Sequence, residues 1–461
     1  MASTLLEALG KRIGGHQTRA SIGNAAYAVA EYLAQPLAGI LAAPFLVHRL
    51  GLDQYGLWML VNAVVGGMGI LSAGFGDATI KYVSTYRGKG DRSGVINSIR
   101  GTITINLILG SIFAGLVWAL APFAVHHLFK ISPDLQSASV LMLRIASFIL
   151  LLRSIESVFI STLRAYEKYG PPAKLNIISR ASVIVAAVVL TSLGYGVVAI
   201  MVATLIIASS STTLQAVAVR IVVGPMLFLP HFGREVLSEL ASFGIFTWLQ
   251  GLSSVAFTHV DRLLVGATLG TSTLAIYTIC VQATQPIHGL IAAALNFLFP
   301  HISSRHEAGE HASSRRMFRF VMPLNFLLAA VLSAPFILFP RELLRLWMGA
   351  EFARVGHTLL SLLAISFALL ALTVVPHYTL LALGRVKFVS SLNIATGAGL
   401  LLVMLLILPR TGMLGAGACR IMYSGTLAVV YVSKAVRSVR AAQRVLEMEP
   451  AFPDARTDVI A

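Results

Sequence analysis

The stretch "FILLLRSIESVFIS" at residues 148–161 places Arg153 and Glu156 three residues apart inside a run otherwise fit for lipid. At 100° per residue, Arg153, Ser157 and Arg164 fall within about 40° of one another, with Glu156 roughly 60° to the side. The spacing predicts a basic stripe running to one mouth of a helix. A guanidinium at mid-membrane costs about 3 kcal/mol on insertion scales, so it must face a wet cavity or a partner. Two roles fit: Arg153 and Glu156 face a substrate, or they neutralise each other and pin helices together.

Other ionisable groups lie in similar runs. In the first apolar segment Asn24, Tyr27, Glu31 and Gln35 follow 3- and 4-residue spacing and share one face. A carboxyl set in such a helix can take up and release a proton, so Glu31 is a candidate for ion coupling, with a polar helix contact as the alternative. Asp261 with Arg262, and the lone Arg420, either line a central cavity or tie helices together. Asp77 and Lys81, an i,i+4 pair near a helix end, read as structural. Gln282, Gln285, His288 and Asn296 read as polar packing between helices, and "GGMGILSAGFGD" at 66–77 as small residues for close approach. His126 and His127 belong to a solvated loop, so no metal site is expected. No Walker motif, zinc signature or nucleophile elbow is visible, and neither catalytic residues nor a cofactor is expected.

The elements that must position these groups follow from composition. Of the 461 residues 57% are hydrophobic and 12% charged, about half the roughly 25% charge of soluble domains. At about 20 apolar residues per crossing, this is an integral membrane protein. Cys280 and Cys419 lie far apart in apolar runs, which excludes a disulfide framework. The formal charge of +16 is spread over loops suited to anionic headgroups, so no nucleic-acid partner is implied.

Breaks at polar clusters, Gly and Pro give twelve segments, near 21–48, 55–80, 97–122, 138–163, 174–193, 197–220, 241–268, 274–300, 318–340, 356–382, 388–408 and 414–433. Lys and Arg crowd alternate loops, which places both termini in the cytoplasm. Sliding the chain by 219 residues lays "LGLDQYGLW" from Leu50 on "LGTSTLAIY" from Leu269, Glu31 on Gln250 and Asp77 on Asn296. A shift of 217 lays "TLRAYEKYGPPAKLN" from Thr162 on "TLLALGRVKFVSSLN" from Thr379. The expected fold is all-α: twelve transmembrane helices in two parallel six-helix bundles with internal pseudo-two-fold symmetry, suited to alternating access. The expected parts are a cytoplasmic segment 1–20, lobes 21–222 and 241–437, a cytoplasmic linker 223–240 and a disordered cytoplasmic tail 438–461.

"LVHRLGLDQYGLWML", "SAGFGDATIKYVS" and "HVDRLLVGATLGTSTLAIYT" resemble the Wzx-type, polysaccharide-transporter branch of the multidrug/oligosaccharidyl-lipid/polysaccharide exporter superfamily, over roughly residues 20–440. The resemblance implies a flippase of the bacterial inner membrane that moves an undecaprenyl-pyrophosphate-linked oligosaccharide between leaflets for surface or exopolysaccharide biosynthesis. Its partners would be that lipid-linked oligosaccharide, membrane lipids and a polysaccharide polymerase complex. The family has no fixed catalytic motif, so Arg153, Glu156, Arg164, Asp261, Arg262 and Arg420 as substrate contacts rest on the helix-face argument alone. A pyrophosphate needs cations in a low-dielectric cavity, and guanidinium matches phosphate oxygens bidentately. The alternatives are a multidrug cation antiporter of the same superfamily, which would favour acidic groups without the Arg stripe, and a polysaccharide polymerase or ligase. The latter would carry a large outer loop, for which only Arg341–Arg354 offers room.

Overall fold

The computed structural model describes residues 15–67, 70–233, 259–295 and 311–448, together with Leu240 and the pairs 298–299 and 302–303; side-chain surroundings are described within 38–67, 75–233, 259–295 and 317–438. Glu31, Gln250 and Asn296, and the part of the seventh expected segment before 259, lie outside the residues whose side chains are described. Every element in the described residues is helical.

In chain order these are α1 (Gly15–Gly67), α2 (Ile70–Gly88), α3 (Arg92–Phe123), α4 (Pro133–Ala165), α5 (Gly170–Ser192) and α6 (Val197–Val223). After a helical stretch at 259–269 come α7 (Thr271–Ala294), α8 (His311–Leu338), the short α9 (Pro340–Met348), α10 (Ala350–Leu372), the short α11 (Val374–Ala382) and α12 (Val386–Met448). A π-turn over Ala124–Leu128 prolongs α3. Among the described residues seven helices are long and apolar enough to cross a membrane. Such helices satisfy their own backbone groups where no water is present to do so.

Two of the long elements are each two helices joined at a left-handed glycine: α1 at Gly51 (φ 79°) and α12 at Gly412 (φ 62°). Both glycines fall between expected segments. α12 continues to Met448, into the stretch expected as disordered tail, because "AVRSVRAAQRVLEM" is rich in strong helix formers.

The repeat seen in the sequence recurs in the backbone. Gly51 (φ 79°) and its mate Gly270 (φ 91°) are both left-handed, as are Glu167 (φ 60°) and Gly384 (φ 72°) at the 217-residue shift. The hydrogen bonds that close those helix ends also match. Tyr166 N donates to Thr162 O, Glu167 N to Arg164 O and Lys168 N to Leu163 O; Leu383 N, Gly384 N and Arg385 N donate to Thr379 O, Leu381 O and Leu380 O in turn. Each is a helix terminus capped by a residue in αL. Glu167 is the one non-glycine with positive φ among the described residues, and it meets the same geometric demand as its glycine mate.

By contacts the chain falls into two compact units. The first comprises Met1–Ala283, Arg341–Leu359 and Leu401–Ala416; the second comprises Thr284–Pro340, Leu360–Leu400 and Gly417–Ala461. Within the first unit, stretches from late in the chain bond to early ones. Trp347 Nε1 donates to Ile40 O (3.0 Å), and Asp53 Oδ1 accepts from Thr271 Oγ1 (2.8 Å) and from Ser272 Oγ (2.5 Å). Asp53 and Ser272 are 219 residues apart, so this bond joins a position to its own repeat mate. Gly56 permits the approach: a Cβ there would overlap Thr271 O.

Within the first unit α4 packs against α2, α3 and α6 around Val95, Ile99, Val158, Phe159 and Leu163. A Cβ at Gly110 would stand 2.4 Å from Ser154 Oγ, and one at Gly76 would stand 2.9 Å from Ser161 Oγ, so small residues set these helix spacings. The second unit is built on Ile291, Val375, Leu380, Leu427 and Tyr431, with Asn325 Nδ2 donating to Ala371 O (3.0 Å) and Tyr431 donating to Asn393 Oδ1 (2.8 Å).

The helix-end argument separates two glycines of α12 and its approach. Gly384 and Gly399 both have open space where a Cβ would stand, but only Gly384 has positive φ. Gly384→Ala is expected to lower stability by about 1 kcal/mol, whereas Gly399→Ala in the helix interior is expected to raise it by a similar amount. Thermal unfolding of the two variants in detergent reads the difference, and equal shifts would contradict it.

Candidate functional site

The stripe on α4 is held by an ion pair. Arg153 Nη1 lies 2.6 Å from Glu156 Oε2; the Arg153 side chain is 36% exposed and that of Glu156 2%. The carboxylate's other oxygen, Oε1, accepts from Ser211 Oγ on α6 at 2.5 Å. Glu156 is therefore clamped between two helices, with one oxygen fixing the guanidinium and the other fixed by a hydroxyl. A buried carboxylate is tolerated only when paired and hydrogen-bonded, and this one is both.

Ser211 sits in "SSSTT" at 209–213, five hydroxyls in an apolar helix. Four donate to carbonyls one turn back on their own helix: Ser209 to Leu205, Ser210 to Ile206, Thr212 to Ala208 and Thr213 to Ser209. Ser211 instead reaches across to Glu156. One turn further on the same face is Gln215, fully buried, whose amide nitrogen and oxygen have no hydrogen-bond partner among the described residues. Ser211 and Gln215 were not singled out from the sequence, although the hydroxyl run facing an intramembrane acid could have flagged them.

Further along α4, Arg164 lies within electrostatic reach of Asp77, so Asp77, read with Lys81 alone, also answers to the stripe. Ser157, expected on that stripe, donates to Ser154 O within its own helix (2.7 Å).

Asp261 is fully buried. Its Oδ2 accepts from Tyr277 OH on α7 (2.6 Å) and its Oδ1 from the Arg262 backbone N–H (2.7 Å). In this state it ties helices together. Arg262 is half-buried, its Nε has no hydrogen-bond partner among the described residues, and it lies within electrostatic reach of Tyr55 and His259. In the second unit Arg420, 9% exposed, stacks over Phe367 (5.0 Å), and its carbonyl accepts from Ser366 and Ser424.

His126 meets Gln136 Oε1 through Nδ1 (2.9 Å), and His127 stacks on Phe123. Among the described residues no group of His, Cys, Asp or Glu could hold a metal. Arg341–Arg354 is taken up by α9 and the start of α10, with Gly349 between them, rather than by a long loop.

The fold is similar to that of a multidrug resistance MATE family transporter of the MOP superfamily in an inward-facing conformation, with a TM-score of 0.74 at 16% identity over 90% of this chain and 96% of that one. Membrane-capable helices in this fold define a multi-pass membrane protein. The chain belongs to the polysaccharide biosynthesis protein family, whose model matches residues 46–355. A relative from Shigella flexneri, the "Putative O-antigen transporter", is 22% identical over 411 residues, covering 86% of this chain and 93% of the relative. The "Probable multidrug resistance protein NorM" of Rhizobium meliloti is 24% identical over 327 residues, covering 66% and 67%.

Removing the Ser211 hydroxyl leaves Glu156 Oε1 buried without that donor. Ser211→Ala is expected to cost about 1–3 kcal/mol, while Ser211→Thr, which keeps a hydroxyl, retains most of the stability. Thermal unfolding of both variants checks this, and an Ala variant as stable as the parent would show that the bond contributes nothing.

Proposed function

We propose that this protein is a flippase that carries an undecaprenyl-pyrophosphate-linked oligosaccharide from the inner to the outer leaflet of a bacterial inner membrane for surface or exopolysaccharide biosynthesis. The observation that carries the reading is Arg153: a guanidinium deep in an apolar helix, part exposed, its direction fixed by a carboxylate that is itself fixed by Ser211. Such an arrangement holds a cation ready for an anion at little ordering cost. A pyrophosphate is the group on this class of substrate that a bidentate cation recognises. The family to which the chain belongs and its Shigella relative support the same substrate class.

Arg164 extends the polar stripe along α4, and the buried amide of Gln215, one turn beyond Ser211 on α6, joins it when the bundles rearrange. Asp261, Arg262 and Arg420 join it as substrate contacts when the bundles rearrange. Glu31 serves ion coupling. The two lobes, 21–222 and 241–437, are six-helix bundles with both termini cytoplasmic, and the matching left-handed residues at 51 and 270 and at 167 and 384 support that division. On this topology the bonds of Asp53 to Thr271 and Ser272 close the outer side, and transport requires them to open. Association with a polysaccharide polymerase complex would place the exported sugar where it is consumed.

The Rhizobium relative favours a second reading, a multidrug cation antiporter. A permanent guanidinium repels cationic substrates, and this weighs for the first.

Arg153 variants separate a substrate role from a packing role. Arg153→Ala is expected to reduce translocation of the lipid-linked sugar in reconstituted vesicles at least tenfold, and Arg153→Lys to recover part of it, since ammonium replaces a fork with a point charge. The double variant Arg153→Ala/Glu156→Gln should fold, because no buried charge is left unpaired, and should stay inactive. A double variant that translocates at the parental rate would assign the pair to helix packing.

A further inference from the structure

One cavity has no part in this reading. It measures about 450 Å3 and opens where α2 ends, α3 begins and α6 ends, lined by Arg87, Arg92, Tyr166, Ile221, Val223 and Pro225 among others. That volume lies within the usual range for small-ligand sites. All of it belongs to the first compact unit.

The cavity has a cationic rim. Arg87 is positioned by Ala165 O (2.9 Å) and by the Tyr166 ring (5.1 Å), with only a long, exposed contact to Glu167 at 3.4 Å. Arg92 is exposed and, among the described residues, its guanidinium has no hydrogen bond or ion pair. Room for it comes from Gly224, which ends α6 at φ 98°; a Cβ there would stand 2.8 Å from Arg92 Nη2. The acid in the lining, Asp91, is engaged elsewhere. Its carboxylate caps α3, accepting from Gly94 N–H (2.9 Å) and Ser93 Oγ (2.7 Å), and those bonds hold its carboxyl below the ordinary range.

The remaining wall and its surroundings are apolar and face outward. Ile221 is 79% exposed, and Leu227, Leu229 and Phe232 follow as exposed side chains. Their backbone is tied to α3: Arg100 Nε donates to Leu229 O (2.9 Å) and His231 N to Thr104 Oγ1 (2.8 Å). A segment so bonded, with its large apolar groups turned out beside arginines, suits the boundary between acyl chains and headgroups.

We propose that this cavity is a binding site for the phosphate head of an anionic lipid, with Arg87 and Arg92 on the phosphate oxygens and the lipid chain running along Ile221 and Leu227. The phosphate can belong to a resident glycerophospholipid or to a polyprenyl phosphate. The site stands whether or not the chain moves a lipid-linked sugar.

The test titrates delipidated full-length protein with phosphatidylglycerol, a polyprenyl phosphate, phosphatidylcholine or inorganic phosphate, reading bound adducts by native mass spectrometry. Adducts are expected with at least one of the two anionic lipids, and which one identifies the source; phosphatidylcholine and inorganic phosphate should bind at least tenfold more weakly. Arg87→Gln/Arg92→Gln is expected to weaken the anionic-lipid adduct about tenfold, and the double Lys variant, which keeps both charges, to retain most of it. Photo-crosslinkable lipid should mark peptides spanning 86–92 or 221–232 in the parent and lose that mark in the Gln variant, with thermal unfolding confirming that both variants fold. Phosphatidylcholine binding as tightly as phosphatidylglycerol and the polyprenyl phosphate, or unchanged adducts and crosslinks in a folded Gln variant, would overturn the proposal. Inorganic phosphate binding as tightly as either lipid would remove the role given to the apolar wall.

Discussion

A helix that stops within or beside a bilayer must find donors for its last carbonyl groups, because lipid supplies none. This chain meets the demand with residues in the left-handed region, and they recur at matching places in its two halves. Gly51 and Gly270 share one place, Glu167 and Gly384 another, and the second pair repeats its closing hydrogen bonds one for one. Helix length, the turn between helices and the direction of the next helix follow from where those caps fall. The polar groups on the helices are then carried to fixed depths. Glu156 stands about three turns and Arg153 about four turns before the cap at Glu167, and this is how an ion pair comes to lie within an apolar bundle.

The ion pair shows why an intramembrane charge needs a further partner on a neighbouring helix. Glu156 alone on α4 would be a buried charge; with Arg153 it would be a pair free to swing. Ser211 on α6 takes up the remaining carboxylate oxygen and leaves the guanidinium as the group with exposed surface. The other hydroxyls of the 209–213 run stay bonded to their own helix, so a single side chain sets the pair's orientation. Asp261 follows the same rule with Tyr277 as its donor, and its full burial makes it a structural tie in this state.

Much of this was legible in the sequence because lipid imposes a simple rule on composition. Apolar runs bounded by Gly, Pro and polar clusters marked the helices, and the Leu-Gly pairs at 50–51 and 269–270 marked both the repeat and the breaks. The Arg153–Glu156 pair followed from spacing on one helix. Contacts between helices did not follow, since 3.6-residue periodicity gives a face but not the neighbour it meets. Ser211 and Gln215 were hidden for that reason, as was the bond of Asp53 to its repeat mate Ser272. The end of α12 was hidden for a different one: charged residues near a C-terminus read as disorder, whereas Ala, Arg, Gln and Leu in that stretch are strong helix formers.

The proposed alternating access between two repeated halves places the heaviest demand on bonds such as the one that joins Asp53 to its own repeat mate. Ser272 donates to Asp53, and the proposed mechanism requires that bond to open. Cysteines at these two positions, in a background with Cys280 and Cys419 replaced, can be joined by a disulfide and released by reductant in vesicles containing a lipid-linked oligosaccharide. The account predicts that the joined protein stops moving the sugar between leaflets and that reduction restores the movement. Translocation at the same rate in the joined and released forms would contradict it.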